Sequence, residues 1–193
     1  MWQGGKRISL MTYNMHKGFG VGALRFLLPE MRAAITQLSP DFVFLQEVQG
    51  QHDKKEKRIH SWPDEPQFAY IAENLWPHYV YAKNAVYKSG HHGNAILSKY
   101  PFECFDNINL SNINRASRSI LHAQLKIGDW PTLHLLCVHL GLFKAERQEQ
   151  YQALIQRIND VVPQNAPLLI AGDFNDWQTS ISKSLAADLG IEE

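Results

Sequence analysis

The 193-residue sequence predicts an α/β protein, in which helices cover β-sheets that are buried on both faces. The first observation is that the runs at 8–14, 42–48, 132–140 and 167–172 are apolar on both faces, so each needs cover on two sides. The second is that helical patterns lie between these runs and can supply that cover. The pattern leaves open whether the strands form two sheets packed face to face or one doubly wound sheet.

The strands follow from short runs rich in β-branched, aromatic and other apolar residues. In chain order these runs are 8–14, 42–48, 79–83, 94–98, 119–127, 132–140 and 167–172. Helices are predicted near 29–38, near 66–76, over 144–162 and from about 180 to 189. Pro29 suits a first helical turn, while Leu154, Ile155 and Ile158 recur at helical spacing.

Length and composition indicate one globular domain over residues 1–193, with 45% hydrophobic and 20% charged residues. The formal net charge is zero, so the bulk charge offers no attraction to nucleic acid, although a local basic patch can still bind it. Cys104 and Cys137 are interpreted as small core residues in a reducing compartment. No run is apolar enough to span a membrane or to act as a signal peptide. We therefore expect a soluble, cytoplasmic protein without stable membrane insertion.

The most polar stretch is 49–67, which carries both charges and two prolines. This composition predicts a solvated surface loop. A substrate-facing role is the alternative for its basic side chains, which are Lys54, Lys55, Lys57 and Arg58.

Four of the apolar runs end in side chains that can bind a metal or a phosphate. These side chains are Asn14, Glu47, His139, Asp173 and Asn175. If the four ends lie on one edge of the sheets, they form a single pocket. Each residue also has a purely structural interpretation, such as a turn at Asn14 or a core position for His139. Their coincidence in one chain favours the pocket.

The chemistry of that pocket suits metal-assisted attack of water on a phosphate ester. Glu47 supplies the hard anionic oxygen that magnesium or manganese prefers, and Asn14 and Asn175 add amide groups. Asp173 can orient a water. His139 can donate a hydrogen bond to a phosphoryl oxygen.

Six motifs in order resemble the endonuclease/exonuclease/phosphatase family, the magnesium-dependent phosphoesterases that include deoxyribonuclease I. They are "MTYNMHKG" at 11–18, "LQEV" at 45–48, "GNAILSKYP" at 93–101, "RSILHAQL" at 118–125, "VHLGL" at 138–142 and "GDFND" at 172–176. The "RQEQ" at 147–150 is typical of related bacterial members. The resemblance covers nearly the whole chain and implies a four-layer α/β/β/α sandwich.

The resemblance also implies roles for the polar strand ends. Glu47 would hold a magnesium or manganese ion with Asn14 beside it. Asp173 would position or activate the nucleophilic water, while Asn175 and His139 would contact the scissile phosphate.

Four further positions are implied near the phosphate or the substrate. Arg118 matches a phosphate-binding position, with Arg115 as the alternative if the register differs. His92, just before the "GNAILS" motif, and Asn94, within it, would lie on the substrate side. The implied partner is a phosphate-ester substrate, which can be nucleic acid, a phospholipid headgroup or a soluble ester.

Members of the family continue beyond "GDxN" to a closing Ser-Asp-His motif, whereas no histidine follows His139 here. We therefore expect that the family's C-terminal strands are missing and that the activity of these 193 residues is impaired. The intact earlier motifs favour a truncated phosphoesterase over a natural short form that binds without turnover.

Two alternatives come from other classes of protein. A calcineurin-like metallophosphatase fits the Gly-Asp-x-x-Asp pattern of 172–176, but its Asp-x-His and Gly-Asn-His-Glu or Gly-Asn-His-Asp motifs do not occur in the sequence. A non-catalytic module that binds a phosphorylated ligand or a protein partner is the second alternative. It predicts ligand binding that survives the loss of Glu47.

Overall fold

The computed structural model describes residues 7–20, 22, 24–111 and 117–191. Within these residues it has eight strands in two four-stranded sheets. The strands are β1 (Leu10–Asn14), β2 (Phe42–His52), β3 (His78–Tyr87), β4 (Gly90–Ser98), β5 (Phe102–Asn109), β6 (Ser119–Leu125), β7 (Leu133–His139) and β8 (Leu168–Asp173). The spatial order is β1-β2-β4-β3 in the first sheet and β5-β6-β7-β8 in the second.

Helices cover the outer face of each sheet. A short 3₁₀ turn (His16–Gly18) follows β1, and the α-helices are α1 (Leu28–Leu38), α2 (Asp53–Glu56), α3 (Gln67–Ala72), α4 (Lys144–Val161) and α5 (Ser180–Leu189). Helices α1 and α3 pack on the first sheet, and α4 and α5 pack on the second. The four-layer α/β/β/α sandwich implied by the resemblance is confirmed, and the single doubly wound sheet is excluded.

Strand β2 illustrates why the runs are apolar on both faces. Phe42 and Phe44 point toward the second sheet and form the core between the two sheets. Val43 and Leu45 point the other way and pack beneath α1 and α3. Because successive side chains of a strand alternate between faces, a strand in an inner layer needs apolar residues at every position.

Two parallel strand pairs bring the polar ends together. Strand β1 pairs with β2 in parallel, so Asn14 lies opposite Gln46. Strand β7 pairs with β8 in parallel, so His139 lies opposite Asp173. The carboxyl ends of parallel strands meet at one edge of a sheet, and the Asn14 side chain bonds to that of Asp173 across the two sheets. The predicted convergence of strand ends is therefore present.

Three features differ from the sequence-based expectation. Strand β5 was not predicted, because its side chains are mostly exposed and lack an apolar face. Strand β2 runs to His52, into the predicted loop, through bulges that interrupt its pairing with β4. Cys137 is buried as expected, but Cys104 is exposed on β5, so its assignment to the core was wrong.

Candidate active site

Glu47 is carried into the site by a bulge in β2. The pairing of β2 with β4 shifts between Leu45 and Val48, and Glu47 itself has a φ of +50°. A bulge re-aims a side chain that regular pleating would turn elsewhere, and a left-handed φ is uncommon for a residue with a side chain. The conformation therefore fixes the direction of the Glu47 carboxylate.

The Glu47 carboxylate is paired with a lysine that the sequence reasoning did not single out. Lys17 Nζ lies 2.7 Å from Glu47 Oε2. Burial raises the pKa of Glu47, but the hydrogen bond and positive charge of Lys17 outweigh this and hold the pKa below its ordinary value. Glu47 is thus an ionised carboxylate in contact with a cation. Lys17 stands in the "NMHKG" stretch already quoted, which was the available signal.

Asn14, Asp173 and Asn175 form one hydrogen-bonded group. Asn14 Nδ2 donates to Asp173 Oδ2 at 2.9 Å, and Asn14 Oδ1 accepts the His16 N–H at 3.0 Å. Asp173 Oδ1 accepts the Asn175 N–H at 3.0 Å. Asn175 Nδ2 donates to the Leu140 carbonyl at 2.8 Å. These bonds fix the orientation of the Asp173 carboxylate.

Gly172 brings this group close to the strand that carries His139. A β-carbon on Gly172 would lie 1.9 Å from the Val138 carbonyl oxygen, and its φ is +153°. Only glycine combines that conformation with that approach. Gly172 therefore allows β8 to lie close to β7 at the strand ends that carry Asp173 and His139.

His139 lies between the two carboxylates. Its Nε2 is 4.0 Å from Glu47 Oε1 and 3.8 Å from Asp173 Oδ2, while its Nδ1 is 3.5 Å from Arg118 Nη1. A guanidinium can only donate, so Nδ1 accepts and the proton of the neutral ring is on Nε2. Burial, followed by the charge of Arg118, lowers the pKa of His139 to about 4. At neutral pH His139 is therefore a neutral donor aimed between Glu47 and Asp173.

Arg118 precedes β6 and contributes a half-buried positive charge. Its Nη1 reaches His139, and its Nε is buried with no hydrogen-bond partner among the described residues. Unpaired buried donors are uncommon and call for an explanation. An anion beside His139 would provide the missing partner. The alternative, Arg115, lies outside the described residues.

His92 and Asn94 lie on β4 next to this group. Burial is the main cause that lowers the pKa of His92 to about 4, and the charge of Lys17 lowers it further. His92 Nδ1 is buried without a partner among the described residues. Asn94 is fully buried and donates to the Ser119 carbonyl at 3.2 Å, so it also links β4 to β6.

Two glutamines that the sequence reasoning did not single out form hydrogen bonds to the backbone of segments that carry the site residues. Gln67 accepts the Gln49 N–H at 3.0 Å and donates to the Lys17 carbonyl at 3.0 Å. It therefore links the part of β2 that follows Glu47 to the 3₁₀ turn that carries Lys17. Gln150 accepts the Gly141 N–H at 2.8 Å, just after His139. Gln150 is the last residue of the "RQEQ" motif, so this bond ties the motif to the segment that follows β7.

The donors present fit magnesium. Glu47 and Asp173 offer carboxylate oxygens and Asn14 an amide oxygen, which are the hard ligands that magnesium prefers. Magnesium usually keeps several waters and binds through one or two carboxylates. Among the described residues no three His, Cys, Asp or Glu side chains form a metal cage. One Glu47 oxygen, Oε2, is paired with the Lys17 ammonium, and the other, Oε1, faces His139.

The fold and the site define a class of proteins: α/β/β/α sandwiches with a polar cleft where the strands end. The chain matches the endonuclease/exonuclease/phosphatase family over residues 11–192, and it belongs to that family. It is 40% identical over 185 residues to YbhP, an uncharacterized protein of Escherichia coli strain K12, and the match covers 95% of this chain and 73% of YbhP.

Solved structures agree on the fold. A family member from Beutenbergia cavernae superposes with a TM-score of 0.72 and 21% identity, covering 94% of this chain and 53% of that protein. TDP2 from D. rerio, in complex with a single-strand DNA product, superposes with a TM-score of 0.59 and 20% identity, covering 96% of this chain and 66% of TDP2. The chain thus spans about half the length of the Beutenbergia protein.

Within the described part of the chain, no helix is both long and apolar enough to cross a membrane. The cytoplasmic location inferred from the sequence stays a prediction.

Proposed function

We propose that this chain carries the hydrolytic site of a metal-dependent phosphoesterase. The observation that carries the proposal is the position of His139, whose Nε2 lies 4.0 Å from Glu47 and 3.8 Å from Asp173. A neutral donor backed by an arginine can stabilise a phosphate whose negative charge increases during reaction. The two carboxylates on either side of it suit a metal ion and the attacking water.

Each residue has a distinct role in this proposal. Asp173, oriented by Asn14, holds and deprotonates the attacking water. His139 donates from Nε2 to a phosphoryl oxygen, and Arg118 adds positive charge beside it. Asn175 contacts the phosphate as well. A magnesium or manganese ion at Glu47 and Asn14, when bound, would supply Lewis-acid stabilisation of the phosphoryl oxygens.

The substrate in this proposal is a phosphodiester or a phosphomonoester. Nucleic acid is one candidate, since TDP2 is described with a single-strand DNA product and shares the fold. A phospholipid headgroup and a soluble ester are the others. His92 and Asn94 would face the substrate, and Arg115 would do so if it takes the role assigned to Arg118.

The test is hydrolysis of bis(4-nitrophenyl) phosphate with magnesium or manganese. We expect metal-dependent turnover that falls by about 10²–10⁴-fold in Asp173→Asn, as on the loss of an acid–base group. Glu47→Gln removes the anionic metal ligand and should abolish the metal-dependent turnover. Glu103→Gln is the matched control, because Glu103 is exposed on β5 and pairs only with Lys126 in the salt bridges of the described residues.

Calorimetric titration with manganese keeps the metal centre testable even if turnover is weak. Binding to the wild type and to Glu103→Gln, but not to Glu47→Gln, is the expected result. Manganese binding that Glu47→Gln leaves intact would overturn the metal site. Phosphate-ester binding that survives in Glu47→Gln, with no turnover in any variant, would favour the non-catalytic module.

A further inference from the structure

A cleft of about 420 Å³ adjoins the proposed catalytic group on the Lys17 side of Glu47. One carboxylate oxygen of Glu47 faces His139, and the other faces Lys17. Lys17, Phe19 and Lys55 line the cleft together with Glu47. A molecule bound at His139 can therefore extend past Glu47 into this space.

Lys55 is an unneutralised cation in that cleft. Among the described residues it takes part in no ion pair. Its ammonium instead lies 4.2 Å from the centre of the Phe19 ring, which is a cation–π contact. The acidic neighbours on α2 have other partners: Asp53 accepts from Gln51 and Glu56 accepts the His52 N–H.

The charges lining the cleft sum to a positive value. The positive charges of Lys17 and Lys55 face a single carboxylate, that of Glu47. Burial, followed by the charge of Lys17, lowers the pKa of Lys55, so the two ammonium groups repel each other. An anion between them would relieve that repulsion. The remaining basic side chains of the predicted loop, Lys54, Lys57 and Arg58, are exposed.

We propose that this cleft is a second anion subsite, in which Lys55 binds a second phosphate group of the substrate. The inference rests on the proposed function and narrows its substrate class to esters with two phosphate groups, one of which is cleaved. Such a pair occurs in a nucleic acid strand and in a small bisphosphate. Phe19 beneath Lys55 restricts the ammonium to the cleft, which makes Lys55 a specificity-determining residue.

A matched pair of substrates separates this subsite from the catalytic group. Thymidine 5′-(4-nitrophenyl phosphate) has one phosphate, and its 3′-phosphorylated form has two. We expect the wild type to hydrolyse the two-phosphate substrate with a higher kcat/KM than the one-phosphate substrate. In Lys55→Met this preference should fall by about tenfold or more, as on loss of a hydrogen bond to a charged group. Lys55→Arg should retain part of it, while Lys54→Met, an exposed neighbour, should retain it fully.

Binding of inorganic pyrophosphate, measured by calorimetry, tests the subsite without turnover. We expect weaker binding by Lys55→Met than by Lys54→Met or the wild type. Competition between pyrophosphate and a single-stranded oligonucleotide then separates the two sources of adjacent phosphates. An oligonucleotide that displaces bound pyrophosphate identifies a nucleic acid strand as the source. An oligonucleotide that leaves pyrophosphate bound identifies a small bisphosphate.

Failure of this inference and failure of the proposed function look different. An equal preference for the bisphosphate in Lys55→Met and the wild type, with equal pyrophosphate affinity, would overturn the subsite and leave the catalytic proposal standing. Pyrophosphate binding that depends on Lys55, in a protein that hydrolyses neither ester, would support the subsite and refute the hydrolytic function of this chain.

Discussion

Acidification should destabilise this protein through a buried histidine pair on the outer face of the second sheet. His122 on β6 and His134 on β7 share a hydrogen bond of 2.9 Å. Arg157 on α4 donates to His122 Nδ1 at 3.1 Å and pairs with Asp106 on β5. Because Arg157 can only donate, His122 Nδ1 accepts and its Nε2 donates to His134. A proton added at Nδ1 would break the bond to Arg157.

The size of the loss in unfolding free energy follows from the shift in the pKa of His122. Burial, followed by the charge of Arg157, lowers the pKa of His122 from 6.5 to about 4 in the folded state. The unfolded chain therefore binds more protons than the folded chain between these values, so the free energy of unfolding falls as pH falls through that window. Between pH 7 and pH 5, His122 alone contributes a loss of about 2 kcal/mol.

Urea unfolding of the wild type and of His122→Gln at pH 7 and pH 5 measures this contribution. Glutamine retains a donor and an acceptor but does not titrate, so the variant should lose about 2 kcal/mol less on acidification than the wild type. His60→Gln, at an exposed position, controls for the substitution itself. Equal losses in the wild type and His122→Gln would refute the reasoning, whatever the stability of the variant at pH 7.

Two substitutions and one labelling experiment give three further predictions about packing. Gly172→Ala should cost about 3 kcal/mol or more in urea unfolding, because the new β-carbon would lie 1.9 Å from a backbone oxygen of β7. Gln150→Leu leaves the buried Gly141 N–H without its partner and should cost about 1–3 kcal/mol in the same assay. A thiol-reactive disulfide should label Cys104 at once and Cys137 only on unfolding, since Cys137 is buried and burial raises its pKa to about 12.

The inner strands were predictable because their burial on both faces imposes an unbroken apolar run. Strand β5 was not, since it pairs only with β6 at the edge of its sheet and its exposed side chains carry no pattern. The end of β2, from Gln49 to His52, was also not predictable from the sequence. Its bulges are set by pairing with β4, and no local residue pattern specifies that pairing.

The sequence by itself determined which side chains stand at the ends of the strands, and the order of its motifs indicated the family. Parallel pairing places Asn14 beside Gln46 and Asp173 beside His139, and the packing of one sheet on the other brings Asn14 into contact with Asp173. Only the tertiary structure decided that Lys17 pairs with Glu47 and that Lys55, among four basic neighbours, faces the cleft. The physical reason is that such contacts depend on distances across loops and sheets, which periodicity along the chain does not encode.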